Sequence, residues 1–248
     1  MLMKEINGID QYNLDFVDHW DNLIDWEKRS NLEKNFFHKI LNDYDVKSII
    51  DVATGTGYNS IKLLEKGFDV LSVDGNQRML DKAKQNAKNN NISIKTIKSK
   101  WIDLNNKIND KFDCLLCLGN SFTHIFSHSE RVNTLKAFYD LLKPGGIILI
   151  DQRNYDIILD HGIVLNSNPI YCNDNVKVTP EFVDSKKITY VYSFSGNKEF
   201  HLNMYPLRKK YFINILISSQ FSVLKTYGDY KYPYNNKDVS FFTHLGIK

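Results

Sequence analysis

The spacing of hydrophobic positions alternates between two periods along the chain. Short apolar, β-branched runs alternate with segments whose apolar residues recur every three or four positions. The runs predict strands at 47–53, 69–74, 93–99, 113–118 and 146–152, and the other segments predict helices at 58–66, 77–89 and 129–142. This alternation indicates βαβ units, and therefore an α/β fold whose parallel sheet has helices on both faces.

The two ends of the chain and the segment after the fifth strand have other patterns. Residues 12–29 and 32–42 show helical spacing, with an acidic polar face on the first segment. Residues 156–208 hold short β-patterned runs separated by polar turns, which predict an antiparallel insertion over the carboxyl edge of the sheet. The main sheet is then completed by a helix at 209–218 and strands at 223–227 and 240–245.

Composition narrows the classes of function. The 248 residues are 42% hydrophobic, enough for one domain core, and no apolar run approaches the roughly 20 residues of a membrane span. Three cysteines cannot build a disulfide framework, which suits the cytoplasm. The net charge is only +3, and the Lys-rich stretch 82–100 contains Asn rather than aromatic residues. We therefore expect a cytoplasmic protein with no membrane or nucleic-acid partner.

Two groups of residues have the spacing of metal ligands. Cys114 and Cys117 lie inside an apolar strand, where residues three apart face opposite sides, so we interpret them as core thiols. His124, His128 and Glu130 span a turn and are more typical of loop residues than of a metal cluster. Neither group predicts a metal site.

A glycine loop follows the first strand of the predicted sheet. The segment Asp51-Val-Ala-Thr-Gly-Thr-Gly57 leads from a strand into a helix, and Asp74 ends the next strand. Glycines at 55 and 57 let the backbone turn sharply and approach a ligand, and a carboxylate at position 74 suits the two hydroxyls of a ribose. The loop predicts a cofactor of the adenosine type.

Two cofactors compete for this loop. A dinucleotide fingerprint has a third glycine, where this chain has Ser60. Asp51 ahead of the loop favours a cationic amino-acid cofactor and would repel a pyrophosphate. The later Phe-Asp element at 112–113 and Leu-Lys-Pro-Gly-Gly at 142–146 complete the order of motifs in class I S-adenosylmethionine-dependent methyltransferases. We favour S-adenosylmethionine over a nicotinamide dinucleotide.

Asn120 and Arg153 follow two central strands on the ligand-binding edge. The Asn120 amide can accept from an amine, or it can simply shape the turn. Arg153 retains its charge, so it requires either a substrate carboxylate or an internal acid such as Asp151 or Asp156. The sequence leaves both choices open.

The chain resembles glycine N-methyltransferases over nearly its whole length, and most closely the microbial glycine/sarcosine branch. The matching motifs are Val-Asp-Gly-Asn-Gln-Arg-Met-Leu at 73–80, Cys-Leu-Gly-Asn-Ser-Phe-Thr-His at 117–124, Asp-Gln-Arg-Asn-Tyr-Asp-Ile-Ile-Leu at 151–159, His-Leu-Asn-Met-Tyr-Pro-Leu-Arg at 201–208 and Tyr-Gly-Asp-Tyr at 227–230. The resemblance implies a Rossmann-like class I methyltransferase fold with a seven-stranded, mostly parallel sheet. It also implies N-methylation of glycine and sarcosine by in-line displacement.

The resemblance further implies a set of site residues. Those at the substrate end would be Asn120, His124, Arg153, Tyr155, Tyr171 and Tyr205. Those that bind S-adenosylmethionine would be Tyr12, Arg29, Asp51, Ala53, Gly55, Asp74, Gly75, Met79, Trp101 and Leu118. Relatives often have two or three tyrosines around position 171, where this chain has one.

The resemblance also implies a division of the single domain 1–248. A lid helix over 8–30 would close on the methionine end, residues 31–155 and 209–248 would form the cofactor-binding core, and 156–208 would form an antiparallel substrate lid. The acceptor is expected to be a small molecule. The resemblance leaves open whether the protein forms a homo-oligomer. The alternatives are another small amine acceptor or a non-catalytic S-adenosylmethionine-binding module, which would not need the clamp of Asn120, Arg153 and Tyr155.

Overall fold

A seven-stranded sheet forms the centre of the protein. The computed structural model describes residues 11–162, 172–196 and 198–248. The strands of this sheet are β1 Ser48–Asp51, β2 Asp69–Asp74, β3 Lys95–Lys98, β4 Phe112–Cys117, β5 Leu142–Arg153, β9 Ser222–Gly228 and β10 Phe241–Ile247. Their order is β3-β2-β1-β4-β5-β10-β9, and β10 runs antiparallel to both of its neighbours. The predicted mostly parallel sheet is confirmed.

Helices cover both faces of this sheet. They are α1 Leu14–Leu23, α2 Trp26–Glu33, α3 Phe36–Asp43, α4 Tyr58–Glu65, α5 Gln77–Asn89, α6 Leu104–Lys107, α7 His128–Leu141, α8 Tyr155–His161 and α9 Lys209–Ser218. The buried residues divide into two clusters, one on each face, and Cys114 and Cys117 belong to different clusters. The two thiols therefore point to opposite sides of β4, as their spacing predicts.

The order of the strands determines where a ligand can bind. β1 lies beside β4 in the sheet, and the connection after β1 leads to β2 on one side while the connection after β4 leads to β5 on the other side. The connections that follow β1 and β4 diverge at the carboxyl edge and open a crevice there. The glycine loop after β1 and the turn after β4 meet at this crevice.

The insertion forms a separate antiparallel sheet. Its strands are β6 Lys177–Val183, β7 Ile188–Phe194 and β8 Lys198–Met204, in the order β6-β7-β8. Alternate residues of β7 and β8, including Tyr190, Leu202 and Met204, are buried in the same cluster as the helices above the main sheet. The predicted antiparallel insertion is confirmed.

The predicted single helix over 12–29 is wrong, because two helices occupy this segment. Ile24 is extended and forms an isolated bridge with Cys172 of the insertion. Asp25 then starts α2 by accepting a hydrogen bond from the Lys28 N–H at 2.8 Å. A tertiary contact and an N-cap therefore interrupt the helical pattern.

Smaller differences occur elsewhere. α8 at Tyr155–His161 was not predicted, and it begins where Asn154 accepts from the Ile157 N–H. β5 begins at Leu142, ahead of the predicted 146. Among the described residues, no helix combines the length and apolar character that a membrane crossing requires.

Candidate active site

A cavity of about 510 Å³ opens at the carboxyl edge of β1, β2, β4 and β5. This volume is within the usual range for small-molecule and cofactor sites. Most of the predicted site residues line it: Tyr12, Arg29, Ala53, Gly55, Asp74, Gly75, Met79, Trp101, Leu118, Asn120, His124 and Arg153. Residues that are distant in sequence thus converge on one site.

The glycine loop adopts a conformation that needs glycine. Gly55 and Gly57 have φ of +55° and +98°. A Cβ on Gly57 would lie 3.0 Å from the Cβ of Ala83, so the loop packs tightly on α5. Gly55 lines the cavity. Because it has no side chain, its backbone is accessible to a ligand there.

Asp74 is held in place by backbone donors. Its Oδ2 accepts from the Gly55 N–H at 2.9 Å and its Oδ1 from the Asn76 N–H at 2.8 Å. Burial raises the pKa of the Asp74 carboxyl, while these N–H groups act to lower it. Each oxygen retains an acceptor position, so the carboxylate can bind two hydroxyls of a ribose.

Trp101 forms an apolar wall of the cavity. Its indole Nε1–H donates to the Val52 carbonyl at 2.6 Å, and its ring stacks on Phe122 at 6.2 Å between centroids. Met79 and Leu118 also line the cavity. An aromatic ring held between apolar side chains is a suitable surface for an adenine base.

Arg29 brings a positive charge to the lining of the cavity. Its Nε donates to Glu33 at 2.6 Å and its Nη2 to the Asn59 amide oxygen at 3.1 Å. The guanidinium also lies 4.3 Å from the centroid of the Tyr58 ring. These contacts orient a planar fork of donors that can bind the carboxylate of an amino acid.

Asp51 lies behind the glycine loop and is fully buried. Its Oδ2 accepts from the Ser60 hydroxyl at 2.8 Å, and Ser60 in turn accepts from the Ser72 hydroxyl. Burial raises the pKa of Asp51 to about 6. Asp51 therefore supports the loop from beneath, and its ionised form places negative charge under a site that suits a cation.

Arg153 lies at the end of β5, where it is buried and lines the cavity. Its guanidinium is 4.8 Å from the ring centroid of Tyr190 and 5.3 Å from that of Phe241. The two acids considered as internal partners have other contacts. Asp156 lies 3.3 Å from Arg208, and Asp151 accepts two backbone N–H groups.

Asn120 is part of a hydrogen-bond network within the protein. Its Oδ1 accepts from the Arg153 N–H at 2.9 Å and lies 3.2 Å from the Tyr155 hydroxyl. Its Nδ2 lies 2.8 Å from the same hydroxyl and 2.9 Å from the Met204 sulfur. The side chain of Asn120 therefore positions Arg153 and Tyr155, and Tyr155 is fully buried behind it.

His124 and Tyr12 contact each other in the lining of the cavity. The Tyr12 hydroxyl lies 2.8 Å from Nε2 of His124. Burial lowers the pKa of His124 to about 4, so the ring is neutral near pH 7. A neutral ring beside a tyrosine hydroxyl can accept a hydrogen bond here.

Tyr205 lies beside the loop that carries His124. Its N–H donates to the Thr123 carbonyl at 2.8 Å, and the guanidinium of Arg131 lies 4.0 Å from its ring centroid. Arg131 also donates to the Ile125 carbonyl at 2.7 Å, so it ties Tyr205 to this loop. The remaining predicted residue, Tyr171, lies outside the described residues.

Comparison with known proteins identifies the family. A methyltransferase domain family matches residues 49–146. The glycine/sarcosine N-methyltransferase of Aphanothece halophytica is 45% identical over 248 residues, covering 98% of this chain and 94% of its own. That of Halorhodospira halochloris is 43% identical, covering 96% and 89%. The chain belongs to the glycine/sarcosine N-methyltransferase family.

The fold agrees with this assignment. An S-adenosylmethionine-dependent methyltransferase from Clostridium acetobutylicum superposes with a TM-score of 0.72 at 22% identity, covering 94% of this chain and 97% of the other. The predicted family, class I fold and dependence on S-adenosylmethionine are confirmed.

Some cavity residues of this methyltransferase were not predicted. Five of them are apolar or aromatic: Leu23, Ile24, Cys172, Tyr192 and Met204. Alternation along β7 and β8 marks Tyr192 and Met204 as inward-facing, but it does not show that this face meets Asn120. No group of three or more candidate metal ligands occurs in the part of the chain that the structure describes.

Proposed function

We propose that the protein transfers the methyl group of S-adenosylmethionine to the amino groups of glycine and sarcosine. The observation that carries this proposal is that Asp74, Trp101 and Arg153 all line one cavity. The first two suit an adenosine, and Arg153 suits the carboxylate of a small amino acid.

Arg153 and the residues that hold it orient the acceptor amino acid. Arg153 binds the carboxylate through its planar fork, and Asn120 and the flanking rings hold Arg153 in place. Because the acceptor is small, fixing its carboxylate also fixes its nitrogen. The apolar side chains Leu23 and Met204 line the same cavity, exclude water and accommodate an N-methyl group on sarcosine.

The chemistry is a single displacement. S-adenosylmethionine, when bound, supplies a methyl group activated by the positive sulfur. The lone pair of the neutral amine forms the new N–C bond while the C–S bond breaks, and S-adenosylhomocysteine is released. The amine loses one proton to reach the neutral product. His124 and Tyr12 are suited to orient the neutral amine through hydrogen bonds, since His124 is neutral at pH 7, and the proton is released to solvent.

The N-terminal segment acts as a lid in this proposal. Gln11 bonds both backbone groups of Asn203 on β8, and the Tyr12 carbonyl accepts from Asn76 at 3.0 Å. These contacts connect the segment to the insertion and to the loop after Asp74. The lid comprises residues 8–30 together with the insertion 156–208, which close over the core.

The net charge and the cysteines support the expected kind of partner and the expected compartment. The small net charge supports a free small-molecule acceptor without a nucleic-acid partner, and the three free, buried cysteines support a reducing cytoplasm.

Product mass tests the proposed function directly. Purified protein is incubated with methyl-labelled S-adenosylmethionine and with glycine, sarcosine or dimethylglycine in separate reactions. We expect label in N-methylated products from glycine and sarcosine. Absence of these products, or exclusive methylation of a different amine, would refute the proposed substrate.

A variant tests the role of Arg153. Arg153→Ala should raise the apparent KM for both amino acids roughly 100-fold or more, because a buried carboxylate contact is lost. Binding of S-adenosylhomocysteine should persist. The matched control is Arg208→Ala, which removes a partly exposed guanidinium paired with Asp156 and Asp160. Equal kinetics for the two variants would contradict the assignment.

A further inference from the structure

A buried carboxylate is hydrogen-bonded to two residues that line the cavity. Asp151 is on β5, two residues before Arg153, and it is only 5% exposed. An ionised carboxylate is costly to bury without hydrogen-bond donors, so donors close to Asp151 must stabilise its charge.

Two consecutive backbone N–H groups donate to this carboxylate. Asp151 Oδ2 accepts from Gly119 at 3.0 Å, and Oδ1 accepts from Asn120 at 2.6 Å. Gly119 and Asn120 have φ of +78° and +62°, both in the left-handed region. Successive N–H groups in such a turn converge on one anion. The left-handed conformation is energetically unfavourable for a residue other than glycine, so the Asp151 carboxylate stabilises it at Asn120.

The turn held by Asp151 determines where the Asn120 side chain lies. That side chain accepts from the Arg153 N–H and contacts the Tyr155 hydroxyl. Gly119 and Asn120 themselves line the cavity. A change at Asp151 is therefore transmitted to the backbone of Arg153 through one intermediate residue.

We propose that Asp151 is a positioning residue for methyl transfer, which fixes the turn at Gly119 and Asn120 and thereby orients Arg153 toward the acceptor. This inference rests on the proposed function. Burial raises the pKa of Asp151 to about 6, while the two N–H groups act to lower it. The carboxylate is therefore ionised at neutral pH and accepts both bonds at once.

The sequence offers a matched control for this carboxylate. Asp113 also accepts two consecutive backbone N–H groups, from Lys47 at 3.0 Å and Ser48 at 2.8 Å. It lies at the start of β4, at the opposite edge of the sheet from the cavity. Asp113→Asn thus changes a second carboxylate that accepts backbone N–H groups, at a site far from the substrate.

The kinetic test compares the two Asp→Asn variants. In Asp151→Asn the new amide NH₂ faces one of the backbone donors, so one bond is lost. We expect kcat/KM for sarcosine to fall roughly 10- to 100-fold at saturating S-adenosylmethionine, as for a displaced acceptor. The Kd for S-adenosylhomocysteine should stay within about twofold, because the Asp74 end is unchanged. Asp113→Asn should retain wild-type kcat/KM. Equal values for the two variants, or a loss of cofactor affinity in Asp151→Asn, would overturn the inference.

A readout independent of activity separates this inference from the proposed function. The amide protons of Gly119 and Asn120, observed by NMR, should exchange slowly in the wild type and faster in Asp151→Asn, with no such change in Asp113→Asn. Unchanged exchange would overturn the inference. If wild-type protein methylates neither glycine nor sarcosine, the proposed function fails, whereas faster exchange still supports the role of Asp151 in the turn.

Discussion

The hydroxyl of Tyr12 lies 2.8 Å from Nε2 of His124, and this contact joins the N-terminal segment to the loop after β4. The two rings meet edge to face, with 5.5 Å between their centroids. A residue of the cofactor-binding set and one of the substrate set thus form one hydrogen-bonded pair.

Removal of this hydroxyl should impair both the stability of the fold and the reaction. In Tyr12→Phe the buried Nε2 of His124 loses its partner, which costs about 1–3 kcal/mol. We expect a corresponding decrease in kcat/KM for sarcosine, while Gln11 still holds the segment to Asn203. Steady-state kinetics measures this effect. Tyr232→Phe serves as a control, because Tyr232 is 61% exposed; equal kinetics in the two variants would contradict a role for the pair.

Asp74 should govern cofactor affinity. Asp74→Asn retains the shape but presents an NH₂ group to the backbone donors or to the ribose, so we expect the binding of S-adenosylhomocysteine to weaken by about 1–3 kcal/mol. Isothermal titration calorimetry provides the measurement. Asp69→Asn changes an exposed aspartate at the other end of β2 and should leave affinity unchanged. Tight binding by Asp74→Asn would show that the carboxylate does not contact the ligand.

The Tyr190 ring should hold Arg153 for the acceptor. A cation–π contact of this kind is worth about 0.5–2 kcal/mol, so Tyr190→Leu should raise the KM for glycine and sarcosine about 3- to 30-fold. The variant Tyr190→Phe retains the ring and should retain the KM. If the KM stays the same in the Leu variant, the ring does not position Arg153.

Much of the fold could be predicted from the chain because its signals are local. The apolar runs of β1, β4 and β5 reflect burial on both faces of the sheet, and the glycines at 55 and 57 reflect positive φ. The Cys114 and Cys117 thiols face opposite clusters because the period of a strand is two. These features depend on residues that are neighbours in sequence.

The features that were not predicted depend on contacts between distant segments. Helical spacing continues through Ile24, but its bridge to Cys172 interrupts the helix. Likewise, the position of Asn120 left a contact with the amine and a role in shaping the turn both open, and it did not indicate the hydrogen bonds of its amide to Arg153 and Tyr155. Spacing alone does not show which polar groups meet within the protein.

A buried histidine should make stability depend on pH below neutrality. His244 is fully buried, its Nδ1 lies 2.9 Å from the Thr226 hydroxyl, and burial lowers its pKa from about 6.5 to about 3. Between these values the unfolded chain binds a proton that the folded ring does not, so this group's contribution to stability is present above pH 6.5 and is lost as the pH falls toward 3.

Comparison with a variant isolates the contribution of His244. Going from pH 6.5 to 5.0, wild type should lose about 2 kcal/mol of unfolding free energy relative to His244→Gln, which does not titrate there. Urea unfolding at a series of pH values measures the difference. His201→Gln, which changes an exposed histidine on β8, should show no comparable difference from wild type. If the wild-type and His244→Gln curves stay parallel, His244 does not remain neutral in the folded protein. The raised pKa values of Asp51 and Asp151 act in the opposite direction between about pH 4 and 6, so only the difference between proteins isolates the histidine.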